Sequence, residues 1–380
     1  MKSYDAIVIG VGGWGSAALY HLAKRGLKVC GIEQFSLGHD RGSSHGESRV
    51  IRMAYFMHPD YVPVLRRAYE LWRKLEGEIR QNLMSLPGLL CIGEPESPFI
   101  HGLEKCYETH VLPHERWTAA EAQSHFPQFQ IPDEAVCYWD PLGGYLQADD
   151  CVRSHIKLAQ QHGASIVSGE KVLSIRDDAD GVTVQTAHET LRAAKVVITT
   201  GAFAPDLTMD LGGLVRPQRK VLFWYDVAEP TDFSSDQFPV WIAKLGGRNF
   251  YGFPTLDGTT IKAAEDTGGQ PLSDPQFVAS DLYPTDEAAL KPFLQQLFGN
   301  RLGERHRYKT CLYENSDDRH FIIDRHPHRP NVILALGGSG HGFKFCSAVG
   351  EIAADLVERN HSRWQPEIFR IRERALAKVD

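Results

Sequence analysis

Asp5-Ala-Ile-Val-Ile-Gly10-Val-Gly12-Gly-Trp-Gly15 opens the chain, and its reading decides the fold. Ala6 to Ile9 is an apolar run of the length of a buried parallel strand. Ala17, Ala18, Leu19, Leu22 and Ala23 then recur at helical spacing until Gly26, a helix stop. The segment therefore reads as strand, tight turn, helix. Gly10 permits the turn, Gly12 removes the side chain that would block a pyrophosphate, and Gly15 lets helix and strand pack closely. The helix N-terminus offers free N–H groups and a positive dipole end to phosphates. A second strand, Leu27 to Ile32, ends in Glu33, 23 positions after Gly10, where a dinucleotide fold places an acceptor for ribose hydroxyls. A carboxylate there disfavours a 2′-phosphate and argues against NADP. Three spaced glycines also suit a turn in an ordinary α/β protein; strand, helix, second strand and terminal acid in register point to a dinucleotide site.

A second glycine-rich segment, Val332-Ile-Leu-Ala-Leu-Gly337-Gly-Ser-Gly340-His-Gly342, lies more than 300 residues downstream. Two such turns at opposite ends of a chain imply that both ends approach one elongated cofactor, and the pairing points to FAD. The expected fold class is α/β, a Rossmann-like FAD-binding domain of the glutathione-reductase type with a second, antiparallel-sheet α+β substrate domain.

At 380 residues the chain exceeds the size at which single cores stop growing, so two domains are expected. The net charge of −7 and 42% hydrophobic content suggest neither a nucleic-acid partner nor a basic membrane-binding face. An anionic substrate must therefore find a local cationic site. Seven cysteines (30, 91, 106, 137, 151, 311, 346) are scattered without CxxC or Cys/His ligand spacing, so neither a disulfide framework nor a metal site is expected. A reducing, cytoplasmic setting fits best: the first strand leaves no room for a signal peptide, no apolar stretch approaches membrane-spanning length, and the terminal Ala377-Lys-Val-Asp380 is not a peroxisomal tripeptide.

Tyr61 to Gly77 is a helix candidate, with Val64, Leu65, Ala68, Leu71, Trp72 and Leu75 on one stripe. Residues 83–149 switch to short strands and turns marked by Pro87, Pro95, Pro98, Pro113, Pro127, Pro132 and Pro141. A helix over Cys151 to Gln161 with a polar start at Ala148-Asp149-Asp150 follows, then strands at Ser165–Val167, Lys171–Ile175, Gly181–Gln185 and Lys195–Thr199. Thr199-Thr200-Gly201-Ala202 reads equally as a backbone approach closing over the nucleotide or as a plain strand-to-helix turn. From Arg216, alternation (Val221, Phe223, Tyr225; Phe250, Gly252; Thr260, Lys262) predicts an antiparallel sheet until about Asp318. The cofactor domain is accordingly expected over 1–82, 150–215 and 319–380, and the substrate domain over 83–149 and 216–318.

Arg41-Gly-Ser43-Ser-His45-Gly-Glu-Ser-Arg49-Val-Ile-Arg52-Met-Ala-Tyr55 gathers three arginines around one histidine in a glycine- and serine-rich loop. It reads as a local cation cluster or, more blandly, as a solvated loop with a satisfied histidine. Gly340-His341-Gly342-Phe343-Lys344 places a second His and a Lys directly after the glycine turn. Cys311 lies two positions from Lys309, so on a strand both point to one face, where an ammonium favours thiolate. The competing reading is a small core residue.

These motifs resemble the monomeric sarcosine oxidase family of FAD-dependent secondary-amine oxidases, which includes N-methyltryptophan, pipecolate and fructosyl-amino-acid oxidases. The likeness is carried by Gly42–Tyr55, Tyr251-Gly-Phe-Pro254, Cys311-Leu-Tyr313 with His320–Pro327, and Gly337–Phe345, and it runs nearly end to end. The resemblance implies a thioether from Cys311 to the 8α carbon of the flavin, and an ammonium at Lys262 that promotes reaction of reduced flavin with O2. It places His45, Arg49 and Tyr251 beside flavin and substrate. It puts a substrate carboxylate on Arg52 and Lys344, with Tyr55 and Asp266 also in the substrate site. The implied FAD contacts are Gly10, Gly12, Gly15, Glu33, Ser43, Arg49, Val172 and Gly201, then Cys311, Gly337, Gly340, His341, Gly342 and Lys344.

The activity implied is oxidation of an N-methyl or cyclic amino acid by hydride transfer to flavin, with O2 reoxidising the flavin to give H2O2, in a monomer. The alternatives are a related FAD-dependent dehydrogenase that passes electrons to a carrier, and a flavin-binding protein without turnover. Three departures bear on the substrate. Asp266 stands where many sarcosine oxidases carry His, with Glu265 beside it; Ser44-His45 stands for a histidine pair; and Met53 replaces a basic residue. An acidic pair there is expected to repel a second carboxylate and to suit a cationic group instead, and the resemblance extends to secondary amines rather than to sarcosine itself.

Overall fold

The computed structural model describes residues 2–211 and 213–371; the C-terminal tetrapeptide discussed above lies outside them. The apolar run ends strand Lys2–Ile9 at the centre of an eight-stranded sheet, parallel to Thr190–Ile198 on one side and Val29–Glu33 on the other. Ala6 to Ile9 are at most 3% exposed, which is why they are apolar without alternation: both faces of the parallel centre of this mixed sheet are covered. Ser165–Ser168 extends the sheet beyond Val29–Glu33, and Val332–Leu336 runs parallel to the C-terminal half of Thr190–Ile198, so both glycine turns leave the same sheet edge. Helix Gly13–Lys24 packs on one face between Cys346–Arg359 and Ala148–Gln161. At Gly350 a Cβ would come within 2.5 Å of the Ala17 backbone, so the first and last long helices of the chain cross almost in backbone contact.

The second sheet has nine strands. Leu89–Gly93, Glu115–Thr118 and Val136–Asp140 join it with the strands between Arg216 and Asn315. Its two faces follow the period-two pattern. Phe223, Tyr225, Trp241, Ala243, Phe250, Ile261 and Ala263 enter a core covered by helix Leu290–Phe298. Leu222, Ile242, Lys244, Asn249, Tyr251 and Cys311 face a cavity on the other side. A three-stranded sheet of Ser48–Ile51, Gly144–Gln147 and Met84–Ser85 completes the fold.

Several elements differ from the expectation. The helix expected over Tyr61 to Gly77 is Tyr61–Ile79, and the strand before Thr199 begins at Thr190. Within 83–149 two helices, Pro98–His110 and Ala119–His125, occupy stretches expected as strands and turns. Pro98 does not mark a turn. It is the first helical residue, behind Ser97, whose Oγ accepts from the Ile100 N–H at 3.3 Å; proline costs nothing there because that N–H has no helical partner. Helix Leu290–Phe298 likewise interrupts the stretch expected as sheet. No helix among the described residues is long and apolar enough to cross a membrane.

Candidate active site

A groove follows the sheet edge from Glu33 to Cys346. Gly10 has φ +87°, and a Cβ on it would meet the Thr199 carbonyl at 2.7 Å; on Gly15 it would meet the Gly10 oxygen at 1.8 Å. Both are glycine for the protein's own packing. Gly12 is different: its Cβ would meet nothing closer than Ser44 Oγ at 3.6 Å, so what its missing side chain leaves open is the groove. The first turn of the helix it caps carries no acidic residue. Glu33 accepts from the Val11 N–H (2.8 Å) and the Phe35 N–H (3.1 Å), with His39 at 3.4 Å. Burial pushes this carboxyl up, but those partners outweigh it and hold it below the usual range. Ser43, Val172 and the stretch Thr199–Phe203, including Gly201, line the same groove. The backbone at Gly201 (φ +58°) opens a short 3₁₀ helix, so the turn and groove readings of that segment describe one structure.

The C-terminal turn closes the other end. A Cβ on Gly340 (φ +78°) would sit 2.3 Å from the Tyr313 ring, and on Gly342, 2.7 Å from Trp14. Trp14 Nε1 donates to the Gly342 carbonyl at 3.1 Å, tying the two glycine segments together. Gly337 (φ +76°) makes the turn but lines neither cavity.

A second cavity shares the wall formed by Arg49, Tyr313, Gly340 and Phe343 with the groove. At this junction Cys311 Sγ lies 3.6 Å from Arg49 Nη2. The expected partner, Lys309, instead reaches Asp40 at 3.2 Å: strand alternation places two side chains on one face but does not aim a long flexible lysine at its neighbour. Arg49 also donates to Ser43 O and Ser48 O, both at 2.8 Å. Deeper in the cavity is Arg52, 4% exposed, its guanidinium over Phe56 (4.5 Å) and Tyr55 (5.1 Å). Its Nε and Nη1 are buried without an acceptor. Lys344 lines the same cavity and donates to His341 O at 2.7 Å; burial, then Arg52, push its ammonium well below the usual lysine value. Tyr251 and Asp266 line this cavity too, and burial raises the Tyr251 phenol to about 12.

Three of the expected residues stand one layer behind the walls. Tyr55 lines neither cavity; it supports Arg52 and bonds His341 Nδ1. His341 lines the second cavity, and because its Nε2 donates to Arg319 O (2.9 Å), Nδ1 is the acceptor for Tyr55. Burial and Lys344 keep this imidazole neutral. His45 donates from Nε2 to Gly42 O at 3.1 Å, and burial lowers it to about 3. Lys262 Nζ donates to Gly46 O (2.6 Å), Ser48 O (2.7 Å) and Ser48 Oγ (3.3 Å), so all three of its protons are engaged under the Gly46–Ser48 turn. Burial, then Arg49, pulls its pKa well down, with Cys311, Glu47 and Asp149 opposing that pull.

Sequence reasoning did not find Ser44, Glu314, Lys244, Asn249 or Arg319. Glu314 faces the groove, accepts from the Gly338 N–H at 3.2 Å and is raised by burial to about 7; its place three residues after Cys311 was the available signal.

The donor set fits FAD. Gly12 and the uncharged helix start leave room for a pyrophosphate, Glu33 offers acceptors at one end, and Arg49 and Cys311 stand where groove and cavity meet. Comparison with known proteins agrees. The family model described as FAD dependent oxidoreductase matches residues 5–356. Monomeric sarcosine oxidase of Streptomyces avermitilis is 36% identical over 360 residues, 93% of this chain and 94% of that one. N-methyl-L-tryptophan oxidase of Escherichia coli is 33% identical over 97% of this chain and 98% of its own. Among solved structures, NikD, an amino acid oxidase essential for nikkomycin biosynthesis, superposes with a TM-score of 0.86 at 25% identity, covering 97% and 98% of the two chains. The chain therefore belongs to the FAD dependent oxidoreductases, as a relative of monomeric sarcosine oxidase and N-methyl-L-tryptophan oxidase over more than nine-tenths of its length.

Proposed function

We propose that the protein oxidises the carbon–nitrogen bond of a secondary amino acid, N-methyl or cyclic, and passes the electrons to O2. One observation carries this reading: two N–H groups of the Arg52 guanidinium are buried beside the cavity with no acceptor, with Lys344 on the same wall. A desolvated charge in that state calls for an anion, and a planar carboxylate matches the fork. Bound FAD supplies the electron acceptor and, once reduced, the reductant of O2. The chain supplies the rest. Arg52 and Lys344 take the carboxylate and so set the distance of the amine from the shared wall. The same positive charge disfavours a proton on the substrate nitrogen, which favours the neutral amine that can give up a hydride. Phe343 and Tyr313 add aromatic surface to the junction, lining both spaces.

Cys311 is the attachment point we assign to a covalent flavin, supported by its place on the second cavity at the junction, and Lys262 the cation that assists O2. The Lys262 charge lies behind the Gly46–Ser48 backbone, through which a field acts at low dielectric. Seven free, buried cysteines support a reducing cytoplasmic compartment, and the name of the sarcosine oxidase relatives supports a monomer.

Anaerobic mixing with N-methyl and cyclic amino acids, and with their methyl esters, tests the reading. The acids should bleach the flavin and, in air, release H2O2, while the esters should not. Bleaching without peroxide would turn the assignment to a dehydrogenase, and bleaching by esters as fast as by acids would remove the role given to Arg52 and Lys344.

A further inference from the structure

Lys244 is the cation of this cavity to which nothing above assigns a task. It sits on strand Val240–Leu245, where Trp241 and Ala243 enter the core behind the sheet and Ile242 and Lys244 face the cavity. Its Nζ lies 4.0 Å from the Phe56 ring centre and 5.2 Å from that of Phe99, and among the described residues it has no hydrogen-bond acceptor. Arg52 lies over the same Phe56 ring at 4.5 Å. Two charges within 4.0 and 4.5 Å of one point are no more than 8.5 Å apart.

The cavity as a whole is lined by five cations, Arg49, Arg52, Lys244, Arg319 and Lys344, against one carboxylate, Asp266. That carboxylate is already engaged, with Asn249 at 3.0 Å and Arg319 at 3.9 Å. Glu265, expected to add to it, turns away to Arg248 at 2.9 Å. The acidic pair that was expected to repel a second carboxylate is therefore neutralised in the wall, and the excess charge is positive. Arg49 is partly satisfied by carbonyls, which leaves Arg52 with Lys344 for one anion and Lys244 for another.

We infer that the substrate is a secondary amino acid with an anionic side chain, its α-carboxylate on Arg52 and Lys344 and its second carboxylate on Lys244. The carboxyl carbons of an aspartate- or glutamate-like skeleton are roughly 4–5 Å apart, a separation that Arg52 and Lys244 can bracket. A cationic side chain would meet Lys244 head-on, and a neutral one would leave its half-buried ammonium unpaired. The inference rests on the oxidase reading for the chemistry but not for the recognition of the two carboxylates.

The test compares N-methyl-L-glutamate with its neutral near-isostere N-methyl-L-glutamine as substrates of the holoenzyme, and of K244M. The wild type should favour the diacid in kcat/KM by about tenfold or more, the scale of one charge-assisted contact, and K244M should erase most of that ratio. A ratio near one in the wild type, a preference for N-methyl-L-lysine, or an unchanged ratio in folded K244M would overturn the inference. Calorimetry of glutarate against butyrate on the wild-type holoenzyme covers the cases in which K244M does not fold or no amine is oxidised. Tighter glutarate binding by about tenfold supports the site even where the oxidase reading fails; equal binding refutes it.

Discussion

Replacing Arg52 with Met should separate binding from stability in opposite directions. Arg52 presents two buried N–H groups with no protein acceptor. If a substrate carboxylate takes both, each charge-assisted bond contributes about 1.5–3 kcal/mol, so losing them costs about 3–6 kcal/mol. With Lys344 still present the lower half applies, and the substrate dissociation constant should rise about 10²- to 10³-fold at 1.4 kcal/mol per decade. Without substrate the sign reverses. Each unsatisfied buried donor costs about 1–3 kcal/mol, while the stacking of the guanidinium on Tyr55 and Phe56 returns about 0.5–2 kcal/mol per ring. Methionine keeps the apolar contacts and removes the orphaned donors, so the substrate-free holoenzyme should gain about 1–2 kcal/mol. Anaerobic stopped-flow reduction gives the dissociation constant, and urea unfolding followed by tryptophan fluorescence gives the stability. A variant that binds substrate within threefold of wild type and unfolds more easily would show that Arg52 is a structural cation, and the carboxylate site would have to be sought elsewhere.

K262M should slow reoxidation by O2 on the order of 10²-fold or more while leaving anaerobic reduction within a few-fold, and equal slowing of both half-reactions in stopped-flow traces would defeat the role given to that lysine. C311S should release its yellow colour on acid precipitation where the wild type keeps it; a wild type that also bleaches means no thioether forms. G12A should fold with wild-type stability yet lose FAD affinity, because its methyl enters open groove, whereas G15A should fail to fold with its Cβ 1.8 Å from a carbonyl; similar behaviour of the two would contradict the division between packing and binding glycines. Burial, then Arg52, lower Lys244 to about 8, with Asp266 raising and Arg319 lowering it further. Diacid affinity should therefore be full below that pH and fall as pH rises through it, apart from the upward shift that the bound diacid itself causes. A flat KM profile from pH 7 to 10 would remove Lys244 from the binding site.

The cofactor half of the molecule was legible because its constraints are local. Gly10, Gly12, Gly15 and Glu33 sit in one strand–turn–helix–strand unit, and their spacing follows from that geometry. The second cavity was legible only where motifs from a family resemblance named its residues. Lys244 and Asn249 escaped notice although Ile242/Lys244 and Asn249/Tyr251 alternate against Trp241, Ala243 and Phe250, because alternation gives a face without saying what covers it. Arg319 contributes from a turn, where no periodicity exists to read. Pro98 was misread for a related reason: proline marks a helix start and a turn alike, and only the hydrogen bond that Ser97 accepts from the Ile100 N–H separates them. The His45 and Lys262 side chains show the limit in the other direction, since naming a residue as part of a site does not tell whether it forms the wall or the support behind it.

The bond between the Trp14 indole and the Gly342 carbonyl joins residues 328 positions apart in the chain. A ribosome adding roughly 5–20 residues per second needs tens of seconds to travel from one to the other. Throughout that interval the nascent N-terminal βαβ unit carries half a nucleotide cradle without its C-terminal glycine turn, so flavin capture is expected only after Gly342 has been added. Truncation late in the reading frame, such as a stop codon before Val332, should therefore yield a colourless polypeptide even though every N-terminal glycine is in place.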